Sequence, residues 1–265
     1  MKKAFVPALA VLLVLIVGVI GYILNSGPTS GETAGEDAED CDVSAYTMGV
    51  KWQQQSAEAA ALQGQTYELA TRQLDRAVAA APEDEDLAVM TDLDETAIDN
   101  SKLLARDIAQ CHDFSGWDTW DDWEKNGEPS KIPGALEFFN HADDLGVDIY
   151  YVSDRTEDNQ AANVEALEKL GLPQADAEHV MLLGPPKDER RAKVESDHTL
   201  IMQLGDTLHD FDGAFADASL DEQRRLVEAN SEKFGSEWFI LPNPTYGDWA
   251  ESELDEWDAP VRTDD

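Results

Sequence analysis

Residues 87–101 read LAVMTDLDETAIDNS. Four apolar residues and Thr91 precede two acids one residue apart, Asp92 and Asp94. A short apolar run that ends in polar residues is typical of a buried parallel strand, and ligands bind at the carboxyl ends of such strands in open α/β sheets. On a strand, residues i and i+2 point to the same side, so the two carboxylates repel each other and a divalent cation relieves that repulsion. The same residues could instead form an acidic turn after a strand that binds no ligand.

Three later apolar runs repeat this arrangement. They cover residues 147–152, 179–183 and 199–204. The polar residues that follow them are Ser153 and Arg155, then Lys187, then Asp206 and Asp210. Because helical segments lie between the runs, the pattern predicts an α/β fold with a parallel sheet flanked by helices. Acids, a hydroxyl and a lysine would then share one edge of the sheet, as in a metal-assisted phosphoryl-transfer site.

Each of these polar residues also has a plainer interpretation. Ser153 alone is typical of a turn, although a hydroxyl at a strand end can donate to a phosphoryl oxygen. Arg155 could bind substrate by adding charge near a phosphate, or it could pair with an acid. Lys187 begins a helix, whereas lysine usually lies late in helices. It could also belong to a surface basic patch, with Lys193 as another candidate for the site.

The pattern Asp92-x-Asp94-x-Thr96 resembles the first motif of the haloacid dehalogenase (HAD) phosphotransferases, and the later strand ends resemble the second, third and fourth motifs in the correct order. Further segments resemble the class C (lipoprotein-e-type) acid phosphatases of that superfamily; they are residues 52–58, 132–135 and 238–249. The resemblance covers roughly residues 50–249. It implies a HAD-like Rossmannoid sheet with a small, mainly helical accessory region. Thr207 departs from the family, which usually has Asn there.

The resemblance implies a catalytic role for four residues. Asp92 would be the nucleophile, and Asp94 would protonate the leaving alcohol and then activate water. Ser153 and Lys187 would hold the phosphoryl oxygens. The implied function is Mg-dependent hydrolysis of phosphomonoesters through an aspartyl-phosphate intermediate, as in an acid phosphatase or a 5′-nucleotidase.

A Mg²⁺ site is also implied by the resemblance. Its ligands would be the Asp92 carboxylate, the Asp94 backbone carbonyl and Asp206. Asp210 would ligate through water or orient Lys187. Hard oxygen ligands with waters suit Mg²⁺.

Tryptophan recurs at a spacing of three in residues 114–123, FSGWDTWDDW. The spacing is typical of a hydrophobic helix face and equally of an aromatic platform on which a nucleobase stacks. The class C family has a Trp-x-x-Trp pair here, which favours Trp120 as the stacking residue, with Trp117 as the alternative. The family places a second aromatic residue at Tyr246, so the implied substrate is a nucleoside 5′-monophosphate. Packing of the C-terminal segment, including Trp249, is the other interpretation.

The charge of the chain limits its partners. Its 265 residues include 19 Lys and Arg against 56 Asp and Glu, a net charge of −37. This excludes nucleic acid as a partner, since phosphate backbones need a cationic surface. A hydrophobic content of 42% and seven tryptophans predict a folded core. One-sided charge on a folded chain predicts a halophilic protein, because high salt screens self-repulsion.

The N-terminus predicts membrane attachment. Lys2 and Lys3 precede an uncharged apolar run at residues 5–24, which is long enough to span a bilayer. The positive charge predicts a cytoplasmic tip, residues 1–4, with the catalytic domain extracytoplasmic. A cleaved signal peptide and secretion are the alternative. The other predicted parts are a flexible acidic linker (25–44), the phosphatase domain (45–249) and an acidic tail (250–265).

The helical accessory parts are predicted at about residues 45–82 and 101–132. The first part is typical of one long helix from Trp52 to about Ala80, ended by Pro82. Its apolar residues recur near helical spacing; they are Trp52, Ala59, Leu62, Tyr67, Leu69 and Leu74.

Two cysteines, Cys41 and Cys111, would form a disulfide in an oxidising compartment, and two free or buried thiols fit the sequence as well.

Two rival functions also remain. Another HAD branch, such as a dehalogenase or a phosphonate hydrolase, would share the core, although a dehalogenase lacks the metal and an acid at Asp94. A membrane-tethered acidic domain that binds cations or partners would have scattered acids, whereas these acids lie at strand ends.

Overall fold

The computed structural model of the protein describes residues 41–250 and 252–262. The predicted cytoplasmic tip, membrane anchor and nearly all of the linker, residues 1–40, lie outside the described residues. Within the described ranges, no helix is long and apolar enough to cross a bilayer. Cys41 and Cys111 are both disulfide-bonded.

A parallel sheet organises the domain. The described strands are β1 (Leu87–Thr91), β2 (Ile98–Asp99), β3 (Ser130–Lys131), β4 (Asp148–Thr156), β5 (Val180–Leu183), β6 (Thr199–Gly205) and β7 (Trp238–Ile240). Five of them pair in parallel in the order β5-β4-β1-β6-β7, while β2 and β3 form a separate antiparallel pair. Every residue of β1 is buried, as expected for the central strand of a parallel sheet. The predicted α/β fold is confirmed.

Helices flank this sheet and fill the connections. They are α1 (Thr47–Gln55), α2 (Ala57–Ala80), α3 (Ser101–Ala109), α4 (Trp120–Asn126), α5 (Ala135–Asp144), α6 (Gln160–Leu170), α7 (Lys187–Asp197) and α8 (Leu220–Ala229). Short 3-10 turns lie at Asp42–Tyr46, Phe114–Gly116, Glu157–Asn159, Leu208–Asp210 and Gly213–Phe215. The acidic tail from residue 252 has almost no regular structure and is largely exposed.

The prediction of one helix over residues 52–80 is wrong, because α1 and α2 are separate. Ser56 lies between them with φ −79° and ψ 125°, an extended conformation. Its Oγ accepts a hydrogen bond from the backbone N–H of Ala59 at 3.1 Å. Ser56 is therefore the N-cap of α2, and serine is among the residues preferred at that position.

The main core lies between the sheet and helices α2 and α5. Tyr67 and Leu74 of α2 are fully buried in it, and the Tyr67 ring packs edge to face on Phe139 with centroids 6.0 Å apart. Leu62 and Leu69, which belonged to the predicted apolar face of this helix, are 42% and 39% exposed. Helix α2, although within the stretch predicted as accessory, thus packs into the main core.

A second, smaller apolar cluster belongs to the rest of the accessory region. Its buried members come from α1, α3, α4 and the turn before α4; they are Val50, Leu103, Leu104, Phe114 and Trp120. Tyr46, Trp123 and Tyr246 pack against it while partly exposed. This accessory cluster therefore brings aromatic side chains from three distant parts of the chain together.

Strand register brings the polar residues to one edge of the sheet. Thr91, the last residue of β1, is level with Tyr151 of β4 and with Leu204 of β6. The polar residues just beyond that level are Asp92, Ser153 and Asp206. Because the three strands are neighbours and parallel, these side chains meet at the carboxyl edge, where open α/β sheets bind ligands.

Candidate active site

Three carboxylates meet beyond the ends of β1 and β6. One oxygen each of Asp92, Asp206 and Asp210 lies within 4.8 Å of the other two. Asp206 is held from two sides, by Thr96 Oγ1 donating at 3.2 Å and by Asn243 Nδ2 donating at 2.7 Å. The structure thus brings three of the four predicted metal-binding residues together.

Gly205 allows Asp210 to reach this cluster. A Cβ atom at Gly205 would lie 2.3 Å from the Asp210 side chain, so the close approach requires glycine. The Oδ2 atom of Asp210 accepts hydrogen bonds from the backbone N–H and the Oγ1 of Thr207, each at 3.0 Å. Thr207, which departs from the family pattern, therefore holds the Asp210 carboxylate in place by two hydrogen bonds.

Lys187 links two of the carboxylates. It is the first residue of α7, and its Nζ donates to Asp92 Oδ1 at 2.7 Å and to Asp210 Oδ1 at 2.6 Å. Lys193, the other candidate from the sequence, is exposed. Burial by itself would lower the pKa of Lys187, but Asp210 and Asp92 outweigh burial and raise the pKa, so the ammonium stays charged. The charged floor of the site consists of Lys187, Asp92, Asp206 and Asp210.

The electrostatics of the charged floor favour a cation. Burial raises the pKa of Asp92 well above its usual range, and Lys187 only partly opposes this. Burial also raises the pKa of Asp206 to about 8, with a further contribution from Asp210. The floor has three acids and one lysine, so a divalent cation would stabilise it. Hard oxygen donors of this kind suit Mg²⁺.

The Asp94 carboxylate is held by a different set of donors. Arg155 donates to Asp94 Oδ1 through Nη2 at 2.7 Å and through Nε at 2.9 Å, and Ser153 Oγ donates to Oδ2 at 3.1 Å. Of the two roles left open for Arg155, the structure shows the pairing with an acid. Ser153 lies inside β4, which continues to Thr156, and so does not follow the strand as predicted.

A cavity of about 690 Å³ lies over the charged floor, and aromatic rings line one side of it. These rings, Trp117, Trp120 and Tyr246, form the aromatic wall. Tyr246 packs edge to face on Trp117 at 5.3 Å and on Trp120 at 6.3 Å between ring centroids. Trp120, the favoured stacking residue, is only 6% exposed, whereas Trp117 is 51% exposed. Trp117 therefore offers the larger accessible ring surface.

Sequence reasoning missed the polar residues buried behind the cavity. Glu95 and Asn100 follow the two aspartates in the same stretch and are fully buried. Burial raises the pKa of Glu95 to about 8, and neighbouring Asp94 adds to the rise. Acids are so common in this chain that the sequence did not distinguish Glu95, and nothing in it gave Asn100 a role.

Arg190 belongs to the Lys187-x-x-Arg190 pattern that resembles the third HAD motif, but the sequence alone assigned it no role. It lies three residues after Lys187, which places both on one face of α7. Its Nη1 donates to the backbone carbonyls of Ser153 at 2.7 Å and of Met181 at 3.1 Å. Arg190 therefore fixes the backbone that carries the predicted hydroxyl donor.

Comparison with known proteins gave matches to one family model and to solved structures. The family model described as "HAD superfamily, subfamily IIIB (Acid phosphatase)" matches residues 34–249. The solved structure of the class C acid phosphatase from Bacillus anthracis matches with a TM-score of 0.75 and 34% identity over 79% of this chain and 88% of that one. The class C acid phosphatase from Bacillus anthracis with tungstate bound matches with a TM-score of 0.75 and 35% identity over the same shares.

Proposed function

This chain belongs to the HAD superfamily, subfamily IIIB, and is a phosphomonoester hydrolase of the acid phosphatase type; from that premise we propose that it forms an aspartyl-phosphate on Asp92, binds Mg²⁺ and prefers nucleoside monophosphates. The observation that carries the proposal is the position of Lys187, whose ammonium bridges Asp92 and Asp210 beside Asp206. A nucleophilic carboxylate can approach a phosphate anion only where positive charge offsets their repulsion.

The first half-reaction uses the two aspartates of the first motif. An Asp92 oxygen attacks phosphorus, and the bond between phosphorus and the alcohol oxygen breaks. The electron pair of that bond goes to the alcohol oxygen, which takes a proton from Asp94. Lys187 and Ser153 hold the phosphoryl oxygens. The products are the free alcohol and an aspartyl-phosphate.

The second half-reaction returns the enzyme to its starting state. Asp94, now ionised, takes a proton from water as the water oxygen attacks phosphorus, and the bond between phosphorus and the Asp92 oxygen breaks. One residue serves both steps because giving up its proton leaves the base that the next step needs. Phosphate leaves, and Asp94 is protonated again.

The residues present fit a Mg²⁺ ion. Asp92 and Asp206 would hold it, with Asp210 through water and with the Asp94 backbone carbonyl. When bound, the cation supplies positive charge that offsets the repulsion between carboxylate and phosphate. Addition of EDTA should abolish phosphate release, and Mg²⁺ should restore it. Full activity in EDTA would contradict the metal assignment.

The preference for nucleotides rests on the aromatic wall. The cavity falls within the volume range of small-molecule sites, and Trp117 offers a half-exposed ring beside the charged floor. A base stacked on such a ring gains about 1–3 kcal/mol. Comparing phosphate release from AMP and from glycerol 3-phosphate tests this: AMP should have the lower KM, and equal KM values would leave a phosphatase without nucleotide preference.

We also propose that the enzyme is anchored outside the cytoplasm and works at high salt. The anchor rests on the apolar run at residues 5–24, and the salt requirement rests on the net charge of −37. Membrane fractionation of cells, with the mass of the recovered protein, separates an anchored chain from a cleaved one. Activity should rise as salt screens the negative surface; full activity in dilute buffer and poor activity in molar salt would contradict adaptation to salt.

A further inference from the structure

A buried chain of hydrogen bonds joins the aromatic wall to Asp94. The Tyr246 hydroxyl donates to the Glu95 carboxylate. The other Glu95 oxygen accepts from the backbone N–H of Asn100 at 2.9 Å. The Asn100 side-chain amide donates to Asp94 Oδ1 at 2.8 Å. Only side chains and one backbone N–H lie between the wall and the acid.

We propose that Glu95 and Asn100 are positioning residues which couple the aromatic wall to Asp94, so that the Tyr246 hydroxyl helps to fix where the acid/base carboxylate points. This rests on the proposed function, in which Asp94 donates a proton to the leaving alcohol. Tyr246 then has two roles: its ring lines the cavity, and its hydroxyl acts through Glu95 and Asn100.

The orientation of Asn100 follows from its partners. Its side-chain oxygen accepts from Trp123 Nε1 at 2.7 Å and from Arg155 Nη2 at 2.9 Å, and both of these groups can only donate. The amide nitrogen must therefore be the atom that faces Asp94. Trp123 lies in α4 and packs against the accessory cluster, so Asn100 connects that cluster to the acid directly as well as through Glu95.

Glu95 is held in an unfavourable backbone conformation. Its φ is 54°, in the left-handed region that residues other than glycine rarely adopt. Such conformations persist where the surroundings fix them, and they are concentrated at functional sites. Glu95 is fully buried, and its donors come from Tyr246 and Asn100. Removing the Tyr246 hydroxyl leaves one Glu95 oxygen without its donor, which favours a shift of Glu95 and Asn100.

Three substrates separate this role from ring stacking. Glycerol 3-phosphate has no ring, and its alcohol needs a proton to leave. AMP has a ring and also an alcohol that needs a proton. p-Nitrophenyl phosphate has a ring, but its phenolate leaves without protonation. Misplacing Asp94 should therefore affect the two alkyl esters, whereas losing stacking should affect the two ring-bearing substrates.

The experiment measures kcat/KM of Tyr246→Phe on all three substrates, because kcat/KM reports the step in which the alcohol leaves. The variant keeps the ring and loses only the hydroxyl. We expect a fall of about tenfold for glycerol 3-phosphate and AMP, the order expected for a misplaced catalytic group, and a change of no more than about twofold for p-nitrophenyl phosphate. Asn100→Ala should give the same pattern.

The matched control is Tyr151→Phe. Tyr151 is also buried and donates its hydroxyl to a backbone carbonyl, that of Pro173 at 2.8 Å. This control should change stability without changing the ratio of the three kcat/KM values. When Asp94→Asn is already present, adding Tyr246→Phe should lower kcat/KM no further, because the Tyr246 hydroxyl acts on catalysis through Asp94.

Two results would overturn the inference while leaving the phosphatase intact. One is an unchanged kcat/KM for glycerol 3-phosphate in Tyr246→Phe, and the other is an equal loss on all three substrates. A wild-type protein that releases phosphate from none of the three would overturn the proposed function and the inference with it.

Discussion

The charged floor and the aromatic wall of one cavity are built in different ways. The floor consists of Asp92 and Asp206 just beyond two adjacent parallel strands, Asp210 in the 3-10 turn after β6, and Lys187 at the start of α7. The register of the sheet therefore sets much of its geometry. The wall joins Trp117 and Trp120 to Tyr246, more than a hundred residues later, through packing of turns and short helices. The charged floor thus depends on the sheet, whereas the aromatic wall depends on packing between segments that are distant in the chain.

Removing the nucleophile should have the largest effect. Asp92→Asn keeps the size of the side chain and removes the attacking oxygen anion, so turnover should fall by about 10⁴-fold or more. Phosphate release from AMP measures the fall. Asp144→Asn, on the exposed end of α5, removes the same charge away from the site and should match wild type. Substantial activity in Asp92→Asn, with normal melting, would remove Asp92 from the mechanism.

A substitution that displaces the backbone or side chains of the charged floor should also lower activity. Gly205→Ala places a methyl group 2.3 Å from Asp210, so Asp210 and the Lys187 bonded to it must move. A displacement of this kind costs about 10²-fold in activity. Measuring kcat and KM for glycerol 3-phosphate tests this without involving the wall.

A second glycine provides the control for this change. Gly64 lies within α2 with no atom within 4 Å of an added Cβ. Gly64→Ala should therefore raise stability by about 1 kcal/mol and leave activity intact. If the two variants had equal activity, the close approach at Gly205 would not matter to catalysis.

A change in the wall should be milder and should depend on the substrate. Trp117→Leu should raise KM for AMP about tenfold with little change in kcat, because stacking is binding that the ground state and the transition state share. Trp120→Leu, which opens a void in the accessory cluster, should instead lower the melting temperature. Trp257→Leu, on the exposed tail, is the matched control. A larger rise in KM from Trp120→Leu than from Trp117→Leu would return the stacking role to Trp120.

These regions also differ in how much of them the sequence predicts. The sequence alone identifies the residues at or near which apolar runs end, because the ends of parallel strands share one edge of the sheet. These residues are Asp92, Ser153, Lys187 and Asp206. The contact between Tyr246 and Glu95 could not be found, because it depends on which loop packs against the stretch after β1. Trp117 remained an alternative because exposure depends on its left-handed backbone, φ 60°, which spacing does not reveal.

The break between α1 and α2 was missed for a local reason. The residues on both sides of Ser56 favour helix, and a single serine among so many helix-favouring residues does not by itself predict a break. Its signal was the preference of serine for N-caps, with Glu58 in the following turn. The sheet was easier to predict, since its short apolar runs alternate with helical segments, and this alternation permits few arrangements.

The smallest predicted effect concerns the stability of the metal-free protein. The folded-state pKa of Asp206 and that of Glu95 are both raised to about 8. The folded protein therefore binds more protons than the unfolded chain between about pH 4 and pH 8, and stability falls as pH rises through that window. In EDTA, the melting temperature should drop by about 5 °C or more between pH 5 and pH 8.

Mg²⁺ should reduce this drop, because it binds the ionised carboxylates of the folded state. Asp206→Asn serves as the comparison, since one of the two groups no longer titrates and the dependence on pH should be shallower. A melting temperature that does not change with pH in EDTA would contradict the raised pKa values.

The order of residues along the chain has a consequence for biosynthesis. Asn243 holds Asp206, and Tyr246 holds Glu95 and completes the wall, yet both are among the last residues with a fixed place in the domain. A nascent chain can form β1, β4 and β6 while these residues are still inside the ribosome. Phosphatase activity should therefore begin only when synthesis of the domain is nearly finished, and cleavage between β7 and Asn243 would leave all five strands of the sheet without the residues that hold Asp206 and Glu95.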